Sequence, residues 1–416
     1  MSSAARRLPT EPARWDHRRW GTLDDPVHKS QLSSLVGEYA CTKQFQFDRL
    51  RDARGEARTA IAGTSAMGTA AHETIARALR AASAWRLGET PRDFPPDSVR
   101  RVLCEEYTRA VAGLEVNWYG KGSYDVALAE RLAQLLGLFH DMRQHVASVE
   151  LVEAGFISEV GDLWTEGHVD LVYRPREAPT ALALTDWKTG SQKPHQVVLD
   201  HGYESGFYSA ALERGLFLPT DVLTRWRTLA HEDPGAVPLA SEDAQALDAA
   251  PSERDAMHVA LRALARRRQA GLDVPEGVVV FGHFPEVVRL TFLPDYVPYQ
   301  KAGKKRVERP EECEFWGLSE PGEVKYQAGQ LRGPAWYRVR RSADDMPRLE
   351  RLLRGVVGWV RMGKFVEAVG EKCMRCPYRG PCLTSGYELG TGDTKDLNAA
   401  LRGLDLTAAN DLMLDD

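Results

Sequence analysis

The spacing of apolar side chains sets out the elements first. From Ser30, which can cap a helix, Leu32, Leu35, Val36 and Tyr39 recur at helical intervals up to Cys41. A second helix is predicted from about Gly68, on the stripe His72, Ile75, Ala76 and Leu79. A long helical stretch follows from about Val126 to Val149. The texture then changes to strands, Leu151–Val160 and Gly167–Tyr173, joined by a turn. A short apolar run, Ala181–Thr185, delivers Asp186, and the next helix takes in Gly206–Leu212. Residues 216–255 are rich in Pro, Asp, Ala and Ser and show no repeating apolar period, so they are expected to be an insertion or a partly mobile segment. A helix at Glu253–Ala270 and a hairpin of Val278–Phe281 with Val287–Phe292, turning near His283–Glu286, come next. Pro347–Val369 is an amphipathic helix with Asp345 as its cap and Pro347 in its first turn. Helices, then mixed strands, then helices point to an α/β sheet flanked on its faces.

The ends read differently. Residues 1–27 are polar, carry Pro9, Pro12 and Pro26, and are expected to form a flexible arm. Residues 390–416 form an acidic tail, which leaves 28–389 as the folded domain. No internal repeat is present.

Composition narrows the class. The chain has 416 residues, 43% hydrophobic and 27% charged, as an ordinary globular protein has. No run of about 18 apolar residues predicts a membrane span. The arginines of Met1–Trp20 are not backed by an apolar stretch, so no secretory signal is expected and the cytoplasm is the expected compartment. A net charge of −5 does not advertise nucleic-acid binding, although basic contacts can be local. Three basic clusters stand out: Arg266–Arg268, Lys304–Arg306, and Arg338 with Arg340 and Arg341.

The sharpest chemistry lies in Leu182-Ala183-Leu184-Thr185-Asp186-Trp187-Lys188-Thr189-Gly190. Residues i and i+2 of a strand share a face, so Asp186 and Lys188 project together. Asp170 stands on the preceding apolar strand. Two carboxylates in such a setting repel and are costly to bury, and a divalent cation between them removes the cost. Mg²⁺ and Mn²⁺ take oxygen ligands, lower the pKa of a bound water and stabilise charge on a phosphate oxygen. A neighbouring lysine can hold the attacking water and meet the charge that builds on the phosphate. The pattern suits phosphodiester hydrolysis.

Six cysteines are present, and Cys373, Cys376 and Cys382 crowd into C-x2-C-x5-C. Three thiolates so close wrap one metal centre, with Cys41 as the natural fourth ligand. On spacing alone, zinc and an iron–sulfur cluster fit equally. Cys104 and Cys313 have no such context and read as ordinary thiols.

The ordered set Gly68-x-x-x-His72, Gly167-x-x-Asp170 and Asp186-Trp187-Lys188-Thr189-Gly190 resembles the RecB-type branch of the PD-(D/E)XK nucleases. The resemblance implies a restriction-endonuclease-like core with a central mixed sheet flanked by helices. It implies that His72, Asp170, Asp186 and the main-chain carbonyl of Trp187 ligate Mg²⁺ or Mn²⁺, and that Lys188 is the catalytic lysine. The branch has a Gln-x-x-x-Tyr helix soon after the lysine. Here Tyr208 matches, while Glu204 stands where Gln is usual. One Cys before the core and three after it are similar to the iron–sulfur members, including the exonucleases of CRISPR adaptation. By that likeness Cys41, Cys373, Cys376 and Cys382 hold a [4Fe–4S] cluster that joins the N- and C-terminal segments. The implied activity is a DNA nuclease, an exonuclease on single-stranded or frayed ends, in repair, recombination or defence. No Gly-x-x-x-x-Gly-Lys-[Ser/Thr] loop is present, so any DNA opening falls to a partner helicase or a CRISPR or defence complex. The competing reading is a non-catalytic DNA-binding or scaffolding subunit of such a complex.

Overall fold

The computed structural model describes residues 15–32, 35–36, 41–53, 60–81, 96–118, 123–189, 203–282, 287–292, 295–298, 312–320, 323–332, 335–340, 345–363 and 365; its strands between 287 and 340 are described by backbone alone. The chain divides into two compact units, Met1–Trp15 with Gln31–Glu56 and Gly363–Asp416, and Asp16–Ser30 with Ala57–Met362. In the first unit the main element is helix α1, Thr42–Ala53, which starts immediately after the half-buried Cys41.

The second unit is built on a mixed sheet. Its strands are β1 (Val27–His28), β4 (Val146–Val160), β5 (Leu163–Pro175), β6 (Ala183–Lys188), β7 (Leu216–Pro219), β8 (Val287–Phe292) and β12 (Ala335–Arg340). They run in the order β12-β8-β6-β5-β4-β7, with β1 paired to β5. The β6–β8 and β1–β5 pairings are parallel and the others antiparallel. Smaller pieces are the parallel pair β2 (Ala60–Ala62) with β3 (Glu115–Asn117), and a three-stranded sheet of β9 (Asp295–Pro298), β10 (Glu312–Glu320) and β11 (Glu323–Arg332). β4 and β5 close through Gly161 and Asp162, and the two-residue turn needs the positive φ of +64° that Gly161 supplies.

Helices cover the sheet. α2 (Gly63–Ala81), α3 (Pro96–Ala110) and α4 (Tyr124–His145) share one core with Leu171, Tyr173, Ala183 and Trp187. α5 (Tyr203–Arg214) packs on β4 and on α9 (Asp345–Arg361). α6 (Thr220–Glu232), α7 (Ser241–Asp248) and α8 (Glu253–Gln269) enclose a second core with Ile157, Leu216 and Leu218. Each fully buried Leu, Ile or Phe in these cores stabilises the fold by about 1.5–3 kcal/mol. Among the described residues, no helix is long and apolar enough to cross a membrane.

The architecture is the expected α/β sheet flanked by helices, with local differences. The long helix stops at His145, and Val146–Val149 already belong to β4, because the ladder to Tyr173–Pro175 takes over their backbone hydrogen bonds. The hairpin expected between Val278–Phe281 and Val287–Phe292 does not form. Val279 bridges to Phe217, and β8 adds in parallel to β6. Strand periodicity identifies a strand but not its partner. Residues 216–255 hold β7, α6 and α7; the helices are short, yet Val222, Leu223, Trp226 and Ala230 bury one stripe. Inside the expected flexible arm, Trp20 is fully buried and Val27 joins the sheet. The helix expected from Ser30 to Cys41 is described only as a turn at Lys29–Leu32; residues 33–34 and 37–40 lie outside the described residues.

Candidate metal centre

Strand register brings the acidic groups together. Across β4 and β5, Val152 stands opposite Leu171, and across β5 and β6 Leu171 stands opposite Thr185. One step along, Glu153, Asp170 and Asp186 are therefore level on three neighbouring strands. Alternation along β6 sends Trp187 into the core under α2–α4 and leaves Asp186 and Lys188 to the opposite face.

His72 of α2 completes the group. One ligand atom each from His72, Glu153 and Asp170 lies within 4.8 Å of the others, and His72 Nδ1 is 3.4 Å from an Asp170 oxygen. The main-chain N–H of Trp187 donates to Asp170 Oδ2 at 2.6 Å, which fixes that carboxylate's orientation. Asp186 has a different set of neighbours. Lys188 Nζ lies 2.5 Å from its Oδ2 and Lys29 Nζ donates to its Oδ1 at 3.0 Å. The hydroxyl of the fully buried Tyr208 also donates to Oδ1, and Lys29 donates in turn to Tyr208 and sits 4.4 Å over its ring.

The electrostatics separate the carboxylates. Burial alone would push the Asp186 carboxyl up, but Lys29, Lys188 and the Tyr208 hydroxyl hold it well below the usual range, so it is ionised. Glu153 goes the other way. Burial, reinforced by the charges of Asp170 and Glu73, holds its carboxyl well above the usual range, against the pull of Arg80. Burial pulls the His72 imidazole down, yet Asp170 and Asp186 raise it beyond its ordinary value.

Glu153 is the member of this group that a cation would complete most directly. Its Oε1 is buried and, among the described residues, has no hydrogen-bond partner, an arrangement that costs free energy unless something positive completes it. Its backbone has φ +44°, a left-handed conformation that a glutamate adopts at a cost of about 1–2 kcal/mol. Strain of this kind persists where the surroundings dictate it, commonly at functional sites. Nitrogen and carboxylate oxygen donors suit a divalent cation.

Two contacts hold the end of β6, the strand that carries Asp186 and Lys188. Gly68 of α2 approaches Thr189 so closely that a Cβ on it would stand 2.9 Å from Thr189 Oγ1. Arg131 of α4 donates to the Thr189 carbonyl at 3.2 Å. Beside Glu153 a cleft of about 610 Å³ opens, lined in part by Glu73, Arg77, Arg80 and Arg254.

Of the expected site residues, His72 and Asp170 meet directly, and Lys188 and Tyr208 each meet Asp186. Glu204 lies on α5, but its side chain is outside the described residues, as are Cys373, Cys376 and Cys382. The sequence reading missed Glu153 and Lys29. An acid inside an apolar strand was the available signal for Glu153, while Lys29 gave none. Of the basic clusters, Arg266 pairs with Asp243 at 2.5 Å, and Arg267 and Arg268 donate to the carbonyls of Asp273 and Arg214. That cluster ties α8 to its neighbours.

The chain matches the family model of the PD-(D/E)XK nuclease superfamily over residues 32–277, a stretch that contains every site residue just described except Lys29. It belongs to that superfamily. No curated protein matches it. Membership implies a phosphodiesterase that cleaves DNA with a divalent metal, which agrees with the donor set of His72, Glu153 and Asp170.

Proposed function

We propose that this chain is a Mg²⁺- or Mn²⁺-dependent deoxyribonuclease of the RecB-type branch, acting as an exonuclease on single-stranded or frayed DNA ends in repair, recombination or defence. The observation that carries the reading is three carboxylates level on adjacent strands, with His72 at 3.4 Å from the middle one and Lys188 on the last strand. His72, Glu153, Asp170, Asp186 and the Trp187 carbonyl would hold the cation. When bound, it lowers the pKa of a water and stabilises charge on a phosphate oxygen.

The protein's own groups divide the remaining work. Lys188 orients the attacking water and meets negative charge as it develops on the phosphate. Tyr208 acts through Asp186, locking its carboxylate so that it need not reorganise during the reaction. Lys29 lowers the cost of keeping Asp186 ionised in a buried place. The Trp187 N–H does the same for the orientation of Asp170. Glu204, one turn before Tyr208, is assigned to the same helix-borne part of the site.

The proposal includes a [4Fe–4S] cluster on Cys41, Cys373, Cys376 and Cys382, joining the terminal segments. Ring packing within the first unit supports it. Trp15 lies 5.5 Å from Phe45 and 6.0 Å from Phe365 between ring centroids. Phe45 follows Cys41 by four residues and Phe365 precedes Cys373 by eight. A clip across so long a loop restricts the unfolded chain, as a long disulfide loop does. Cys376→Ser is expected to remove the broad visible absorption and to lower stability by about 3 kcal/mol or more. Zinc without iron in protein purified under nitrogen would replace the cluster with a zinc site.

The test of the activity is digestion of end-labelled single-stranded DNA with Mn²⁺ by wild type, Asp186→Ala and Lys188→Ala. The expected result is cleavage by wild type and a loss of at least about a thousandfold in both variants. Folded, cluster-loaded wild type that leaves single strands, duplexes and flaps intact would assign the chain to a binding subunit instead.

A further inference from the structure

β1 runs parallel to β5, with Val27 opposite Thr165 and His28 opposite Glu166. The next residue, Lys29, passes beside Gly167, where a Cβ would stand 3.2 Å from Lys29 Cβ and closer still to the Phe156 ring. The missing side chain lets the lysine stem through toward Asp186. Lys29 Nζ sits 4.4 Å from the centre of the Tyr208 ring and donates to Asp186 Oδ1 at 3.0 Å. Only 14% of the Lys29 side chain is exposed, so the ammonium is a fixed part of the site rather than a surface charge.

The two oxygens of Asp186 are used differently. A carboxylate offers about four acceptor positions, two on each oxygen. Lys29 and the Tyr208 hydroxyl both donate to Oδ1, and together they fill it. Oδ2 lies 2.5 Å from Lys188 Nζ, yet among the described residues it takes no well-directed hydrogen bond. Asp186 can therefore give Oδ2 to a cation, but not Oδ1. Two-metal centres hold their ions about 3.5–4 Å apart, a spacing that a carboxylate spans by giving one oxygen to each. The group of His72, Glu153 and Asp170 marks the place of one ion. A second ion on the far side of Asp186 would need Oδ1, and it would stand against the charge of Lys29.

We propose that Lys29 takes the place of a second divalent cation: by occupying Asp186 Oδ1 it restricts this centre to one metal ion. The assignment rests on the divalent-metal reading of the site. Lys29 is then a positioning residue that sets the metal stoichiometry. It supplies a fixed positive charge where another ion would otherwise bind, and that charge stays when metal is removed.

The experiment compares full-length wild type with Lys29→Met, which keeps a stem of similar length beside Tyr208 and drops the charge, and with Lys29→Gln. Melting in chelator checks that each is folded. Mn²⁺ bound per chain is counted at equilibrium from the electron paramagnetic resonance of the free ion, and cleavage is measured as a function of Mn²⁺. Wild type is expected to bind one Mn²⁺ and to cut with a hyperbolic Mn²⁺ dependence. Lys29→Met and Lys29→Gln should bind two. Their cleavage at low Mn²⁺ should fall by roughly tenfold or more and recover at high Mn²⁺ with a Hill coefficient above one. Two ions in wild type overturn the proposal, and so does none. One ion in a folded Lys29→Met or Lys29→Gln also overturns it, because a lysine that only braces Tyr208 and Asp186 would leave the count unchanged. If neither variant folds, the wild-type count decides. The two readings fail separately. Two ions in a wild type that cuts DNA would remove this role of Lys29 and leave the nuclease. One ion in wild type and two in Lys29→Met, in a chain that cuts no DNA, would keep the role and remove the nuclease.

Discussion

Glu153, half-buried, and Asp186, buried, stand on β4 and β6, the two strands that flank β5, and their surroundings drive them apart. Asp186 is ionised because two lysines and a tyrosine hydroxyl surround it. Burial, reinforced by the charges of Asp170 and Glu73, holds the Glu153 carboxyl well above the usual carboxylate range, and among the described residues its Oε1 has no hydrogen-bond partner. A cation entering the group of His72, Glu153 and Asp170 would favour the ionised form of Glu153, so Glu153 is expected to couple metal binding to pH. Glu153→Gln keeps the shape and removes the acid. It is expected to leave metal-free stability unchanged or raised, since burial penalises the charged form of Glu153. It should raise the Mn²⁺ concentration for half-maximal cleavage by roughly tenfold or more. A metal titration of the cleavage rate, run beside a melting curve in chelator, checks both halves. Unchanged Mn²⁺ dependence would take Glu153 out of the ligand set.

At the scale of elements, the site depends on how closely α2 approaches the end of β6. Gly68 lets the helix backbone pass Thr189 with no side chain between them. The same helix delivers His72 one turn later, so a shift at Gly68 is a shift at His72. Gly68→Ala adds a methyl at 2.9 Å from Thr189 Oγ1, a separation that forces one of the two to give way. Helix propensity favours alanine by about 1 kcal/mol, which offsets part of the clash. Activity is therefore expected to fall by about tenfold or more while stability changes by less than about 1 kcal/mol. Steady-state cleavage and a denaturant titration read the two effects. A variant as active as wild type would show that this approach does not set the geometry. Glycine spacing before His72 was visible in the sequence, but its reason, a strand end lying against the helix, was not.

The whole molecule carries a second buried polar group away from the metal centre, and it governs acid stability. His28 is buried and His168 half-buried, and desolvation lowers them to about 3 and about 4. Glu166 is held at about 2; burial raises it, but His258, whose Nδ1 is 3.0 Å away, more than offsets this, with help from His28 and Arg262. All three shifts point the same way. Each folded pKa lies below the unfolded one, so the unfolded chain takes up protons first as pH falls. The two histidines begin to weaken the fold below about pH 6.5, each by up to about 1.4 kcal/mol per pH unit, and Glu166 adds its share below about 4.5. Melting temperature is expected to drop steeply from neutral pH toward pH 5. His28→Gln should make that acid limb shallower, as melting curves across the range would show. An acid limb of unchanged slope would place the titrating groups elsewhere.

The sequence by itself determined the chemistry that local spacing encodes. Two-residue alternation put Asp186 and Lys188 on one face, a helical stripe carried His72, and apolar strands presented Asp170. These are short-range facts, fixed by the periods of helix and strand, and an α/β sheet flanked by helices followed from them, while the mixed pairing of its strands was implied only by the family resemblance. What only the tertiary structure decided is long-range. Glu153 joins the site because the register of β4 on β5 sets it level with Asp170. Lys29 reaches Asp186 across 157 positions of sequence, and Tyr208 meets it across 22. β8 docks in parallel on β6 rather than folding back on its neighbour in sequence. No local period encodes such pairings. They are selected by which whole arrangement buries the apolar faces and satisfies the backbone, and that choice is made by the folded chain as a unit.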